Sequence, residues 1–129
     1  MSIYMNNGAT TWPKPECVAR AMYDFLTGGG ANVARGSASK RDLKSMDTVL
    51  SCREELVSLF GGWDDDPRYA TFTANVTESI NVVLKGFLKP GMTVLASSME
   101  HNAVLRPLRR LETRGVRLEI AACDEEGFL

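Results

Sequence analysis

Apolar positions along the chain change their period twice, and those changes divide it. Over residues 3–15 there is no period; Asn, Gly, Thr and Pro dominate, and Pro13 and Pro15 force extended backbone on the residues before them. From about 15 to 26, Val18, Met22 and Phe25 recur at helical spacing until the glycines at 28–30 stop the pattern. A loop over 31–39 carries Arg35. A longer helix is predicted over 40–60, with Leu43, Met46, Val49, Leu50, Leu56, Val57 and Phe60 on its apolar stripe and Gly61 and Gly62 at its end. Residues 63–68 form an acidic turn with a proline.

Beyond that turn the elements alternate. Residues 69–73 read as a strand, 77–88 as a helix, 93–96 as a strand, 101–113 as a helix closed by Gly115, and 116–121 as a third strand. Strand and helix at this spacing predict an α/β domain of mainly parallel strands joined by right-handed crossovers. The predicted organisation is a leader and helical segment over 1–62 and the start of an α/β domain over 63–129.

Composition narrows the function more than the fold. The 129 residues carry a formal net charge of −1 with both signs interleaved, which argues against nucleic acid or an anionic membrane as partner. No apolar run nears the roughly 20 residues of a membrane span, and the first residues lack the basic and apolar parts of a signal peptide. The expected location is the cytoplasm. Cys17, Cys52 and Cys123 are odd in number and not at metal-ligand spacing, so they read as reduced thiols.

Two places carry candidate chemistry. The loop 73–77 lies where a strand gives way to a helix, and free backbone N–H groups beside the Thr77 hydroxyl suit an anion. Thr77 suits equally well as an N-cap, with Glu78 favourable in the first turn. His101, the sole histidine, follows a strand and precedes a helix. It can stack on a ring, move a proton, or stand exposed near a helix start. With no second ligand at a suitable spacing, metal binding is not expected. Both places fall at the carboxyl ends of successive predicted strands, the edge where open α/β sheets bind ligands. Together they suggest a phosphate-bearing aromatic cofactor.

Three stretches resemble one family. IYMNNGATTWPKP is similar to the N-terminal signature of the class V aminotransferase-fold enzymes, above all the cysteine desulfurases. FTANVTESIN resembles their cofactor-phosphate loop, and MEHNAVLRPLRRLE their strand-end motif bearing the histidine that stacks on pyridoxal 5′-phosphate. The resemblance implies a fragment of a pyridoxal-phosphate fold-type-I large domain. It implies that Asn75, Val76 and Thr77 hold the cofactor phosphate and that His101, the catalytic residue, lies over the ring. It also puts Asn7, Gly8, Ala9 and Arg35 on the substrate side, with Arg35 on a loop that in the family often crosses a dimer. The sequence departs from the family pattern at Asn6, where Asp is usual, at Asn75, where Gly is common, and at Ser37-Ala38, where a histidine is common.

The family's enzymes are about three times longer than this chain. Their Schiff-base lysine and the desulfurases' nucleophilic cysteine lie downstream, and none of Lys14, Lys40, Lys44, Lys85 and Lys89 sits in the Schiff-base motif. The resemblance therefore implies the N-terminal third of a homodimeric desulfurase that converts cysteine to alanine plus a persulfide sulfur, destined for a sulfur-accepting protein. The chain by itself is expected to be inactive, not to retain the cofactor covalently, and to self-associate. Other reactions on the same fold (an aminotransferase, a selenocysteine lyase, an epimerase) and a non-catalytic binding or assembly module are the alternatives.

Overall fold

Each predicted helix forms, and their ends are set by local chemistry. The computed structural model describes residues 3–33 and 39–129; Arg35 lies outside them. The chain divides into two compact units, Met1–Thr71 and Phe72–Leu129.

In the first unit, helix α1 spans Glu16–Gly28 and α2 spans Lys40–Phe60. Ser39 caps α2 by accepting the Asp42 N–H through its hydroxyl. At the other end Gly61 takes the left-handed conformation, φ 62°, that glycine adopts without steric cost. Its neighbour Gly62 has room for no side chain, since a Cβ there would meet Val57 Cγ1 at 2.9 Å. Ser45, 1% exposed, ties the preceding loop to α2: its hydroxyl accepts the Ala31 N–H and donates to the Arg41 carbonyl. Two short 3-10 turns, Trp63–Asp65 and Pro67–Tyr69, pack on α2, with the Trp63 and Tyr69 rings 6.4 Å apart.

The second unit holds helix α3 (Val76–Phe87), strand β1 (Thr93–Ser97), helix α4 (Asn102–Glu112) and strand β2 (Arg117–Ala121). The strands pair in parallel, Thr93 against Arg117 through Ser97 against Ala121. Parallel neighbours need a crossover, and α4 supplies it. Its apolar face drives the packing: Leu108 and Leu111 join Leu88, Ala96 and Val116 in one buried cluster. Leu108, 1% exposed, is its most enclosed member, and burying such a side chain contributes about 1.5–3 kcal/mol. Pro107 sits inside α4, where it cannot donate to the Ala103 carbonyl, and is buried against its neighbours.

The α/β class expected from the alternation is found, with one difference. Residues 69–73 form no strand. Tyr69 ends a 3-10 turn and Ala70 is extended, at φ −91° and ψ 117°, with no ladder beside it. A strand exists only where a neighbour accepts and donates along its edge, and the sheet among the described residues consists of β1 and β2. Where the sheet turns Val94, Ala96 and Leu118 toward the core, Leu95 points away and is 68% exposed. No helix among the described residues is long and apolar enough to cross a membrane.

Candidate cofactor-phosphate site

The head of α3 is built by side chains that close its own loop. Asn75 is the N-cap, its Oδ1 accepting the Glu78 N–H at 2.9 Å. Thr77 is therefore not the cap that its position in the sequence allows; Asn75, two residues earlier, takes that role, with the extended backbone a cap requires. Glu78 reaches back and accepts the Ala74 N–H at 2.8 Å. Thr73 donates to the Asn75 carbonyl at 2.9 Å and shares a hydrogen bond with Ser79 at 2.5 Å. Asn81 donates to the Thr77 carbonyl at 2.8 Å. These bonds leave the N–H groups of Val76 and Thr77, which have no intrahelical acceptor, and the Thr77 hydroxyl without a partner among the described residues.

His101 heads α4 in the same manner. Its Nδ1 accepts the Ala103 N–H at 3.0 Å, so the neutral imidazole carries its proton on Nε2. One bond thus caps the helix and fixes the ring.

The two helix heads share a groove of about 410 Å³. Thr77, Asn81 and Lys85 line it from α3 at four-residue intervals, and Asn102, Arg106 and Arg110 from α4 at the same interval, with His101 also in its lining. Lys85, Arg106 and Arg110 have no carboxylate partner among the described residues, and no acid lines the groove. A chain of net charge −1 thus places three cations without a carboxylate partner among the described residues along a groove that a helix head lines. The cationic lining was readable as the i, i+4, i+8 spacing on both predicted helices. The Ala74–Glu78 and Thr73–Ser79 bonds had no such signal.

The leader residues fold onto themselves in the first unit. Tyr4 Oη donates to the Thr10 carbonyl, Ala9 N–H to the Asn6 carbonyl, and Trp12 N–H to Asn7 Oδ1. Asn7, Gly8 and Ala9 occupy the exposed turn so formed, and nothing lies within 4 Å of where a Gly8 side chain would start.

Residues 3–129 match the Aminotransferase class-V family. The chain belongs to that family. It is 33% identical over its whole length to the cysteine desulfurase IscS of Psychromonas ingrahamii, and 34% identical to that of Klebsiella pneumoniae. Both alignments cover 32% of the relative, so the chain spans about a third of the length of the curated relatives it matches. An apo cysteine desulfurase from Thermococcus onnurineus NA1 superposes with a TM-score of 0.82 at 29% identity, over 97% of this chain and 31% of the other. A NifS-like protein superposes with a TM-score of 0.78 at 27% identity, over 96% and 33%. The fold is accordingly that of part of a pyridoxal-phosphate fold-type-I enzyme, the architecture its motifs implied.

The residues present fit such a cofactor at its phosphate end. Two N–H donors, a hydroxyl and a cationic groove suit a phosphate dianion, and an imidazole with a tied Nδ1 offers a fixed flat face. Lys89 Nζ is bound to the Gly86 carbonyl and Lys14 Nζ to Thr10 and Thr11, while Lys85 lies two turns along α3 from Thr77, about 12 Å of helix rise.

Proposed function

We propose that this chain supplies the phosphate-holding and ring-stacking part of a pyridoxal-phosphate-dependent, cysteine desulfurase-like enzyme. The observation that carries this reading is the pairing of Thr77 and His101 on one cationic groove, at the heads of two adjacent helices.

Val76 and Thr77 would hold the phosphate through N–H and hydroxyl, and Asn75 would order that turn. His101 would lie over the pyridine ring and present its Nε2–H. Asn7, Gly8 and Ala9 are assigned to the substrate side by their place in the leader motif, and Arg35 by its likeness to the family's Arg-Gly loop. When bound, the cofactor supplies the electron sink that lets the Cβ–S bond of cysteine break. Cysteine and an enzyme thiol then become alanine and a persulfide. The amine that anchors the cofactor and the accepting thiol are assigned to sequence outside these residues. By itself the chain is inactive. The acting enzyme is a cytoplasmic homodimer passing sulfur to an acceptor protein, with residues 1–62 as leader and helical segment and 63–129 as the start of its cofactor-binding domain.

The test is an assay of the native-length protein, in the presence of a thiol that reduces the enzyme persulfide, for alanine and sulfide released from cysteine in equal amounts, with and without pyridoxal 5′-phosphate. Cofactor-dependent release by that protein, and none by residues 1–129, is the expected result. Cofactor-dependent turnover of another amino acid without sulfide would assign a different reaction on the same fold.

A further inference from the structure

The head of α3 already contains an anion, and it is not a ligand. The Glu78 carboxylate sits in the first turn and accepts the Ala74 N–H at 2.8 Å, while the Glu78 N–H donates to Asn75 Oδ1 at 2.9 Å. Thr73 and Ser79 close the same loop from its other side at 2.5 Å. Loop residues 73–75 are thereby held back onto the helix, and the next two N–H groups, of Val76 and Thr77, stay open. The same carboxylate brings negative charge to the helix end whose dipole attracts a phosphate.

We infer that Glu78 is a positioning residue for the phosphate loop, holding it open through the Ala74 hydrogen bond while its charge opposes the phosphate. This deepens the proposed cofactor reading and rests on it. The two effects have opposite signs and separate cleanly. Glutamine keeps an oxygen that can accept the Ala74 N–H and removes the charge. Alanine removes both. A residue that merely caps the helix would alter thermal stability in each variant and leave phosphate recognition alone.

The experiment measures binding of pyridoxal 5′-phosphate and of pyridoxal to the native-length apoprotein for Glu78→Gln, Glu78→Ala and Thr77→Ala. The ratio of the two affinities isolates the phosphate contribution, and a thermal melt of each apo variant monitors folding. The expected ratio for Glu78→Gln is about threefold to tenfold above wild type, since a like charge near the phosphate is gone but was partly screened by water. For Glu78→Ala it is severalfold below that of Glu78→Gln. Equal ratios in the two Glu78 variants would overturn the positioning role, and a Glu78→Gln ratio no higher than wild type would overturn the opposing charge. Thr77→Ala separates this inference from its premise: a ratio unchanged there contradicts the phosphate site itself, whereas a lowered ratio with unresponsive Glu78 variants contradicts only the role of Glu78.

Discussion

His101 Nδ1 accepts the backbone N–H of Ala103 at 3.0 Å, so the histidine that heads α4 is also its N-cap. The bond joins two properties that a sequence treats separately, the stability of the helix and the tautomer of the ring. Replacing His101 should disturb both. His101→Ala is expected to lose about 1 kcal/mol of cap stabilisation and to shift the cofactor absorption band in the native-length enzyme. His101→Asn should restore the melting temperature, since Asn caps well, without restoring the band. A thermal melt and an absorption spectrum of each variant make the comparison. Zinc bound stoichiometrically through His101 would contradict a stacked, metal-free ring.

Thr77 and Asn75 should separate in the reverse sense. Thr77→Ala removes a hydroxyl with no partner among the described residues, so the melting temperature of the apoprotein should hardly move. Cofactor retention should fall about tenfold to a hundredfold, the worth of a hydrogen bond to a charged group. Asn75→Ala removes the cap and should cost about 1 kcal/mol of stability. Dialysis followed by cofactor quantification reads the first effect, and a denaturant melt the second.

Much of this was legible because helix period and glycine punctuation are local signals. Lys40–Phe60 was readable to the residue, since Ser39 and Gly61 are chemically suited to their ends. The turn of α3 was displaced by one residue, because Asn75 and Thr77 are both acceptable caps and only the loop geometry chooses between them. Residues 69–73 have the composition of a strand yet join no sheet among the described residues, since pairing depends on a neighbour and not on propensity. Thr77 and His101, which line one groove, were singled out by their places after predicted strands, although the stretch before Thr77 forms none. That Glu78 binds Ala74, four residues back and outside the helix, could not be read, because it depends on how the loop folds.

The acidic turn offers a pH-dependent contact. Asp66 accepts from Arg68 through side chain and backbone, and these hydrogen bonds, the side-chain one foremost, hold its carboxyl below the usual range while raising the Arg68 guanidinium. A carboxyl lowered on folding contributes stability above its unfolded value, near 3.9, and loses it as the pH falls through the lower folded value. The turn should thus be at full strength at neutral pH and loosen only in acid. An NMR titration of the Asp66 carboxyl should give a midpoint below the ordinary carboxylate range, and Arg68→Gln should bring it back up.

Exposed apolar side chains in the second unit predict association of the chain taken by itself. Leu95 on the uncovered sheet face is 68% exposed and Phe87 at the end of α3 is 70% exposed. The outer edges of β1 and β2 have no neighbouring strand among the described residues. Residues 1–129 should sediment as an oligomer or unfold without cooperativity, with order persisting best between residues 76 and 121. A cooperative, stable monomer would favour a self-sufficient module.

The proposed function requires a phosphate at the head of α3 beneath a ring that faces His101. A crystal structure of the native-length protein grown with pyridoxal 5′-phosphate tests it directly. Phosphate oxygens are expected within hydrogen-bond distance of the Val76 and Thr77 N–H groups and the Thr77 hydroxyl, with the imidazole of His101 parallel to the pyridine ring. A cofactor bound elsewhere in the protein, or a phosphate held without contact to the first turn of α3, would contradict it.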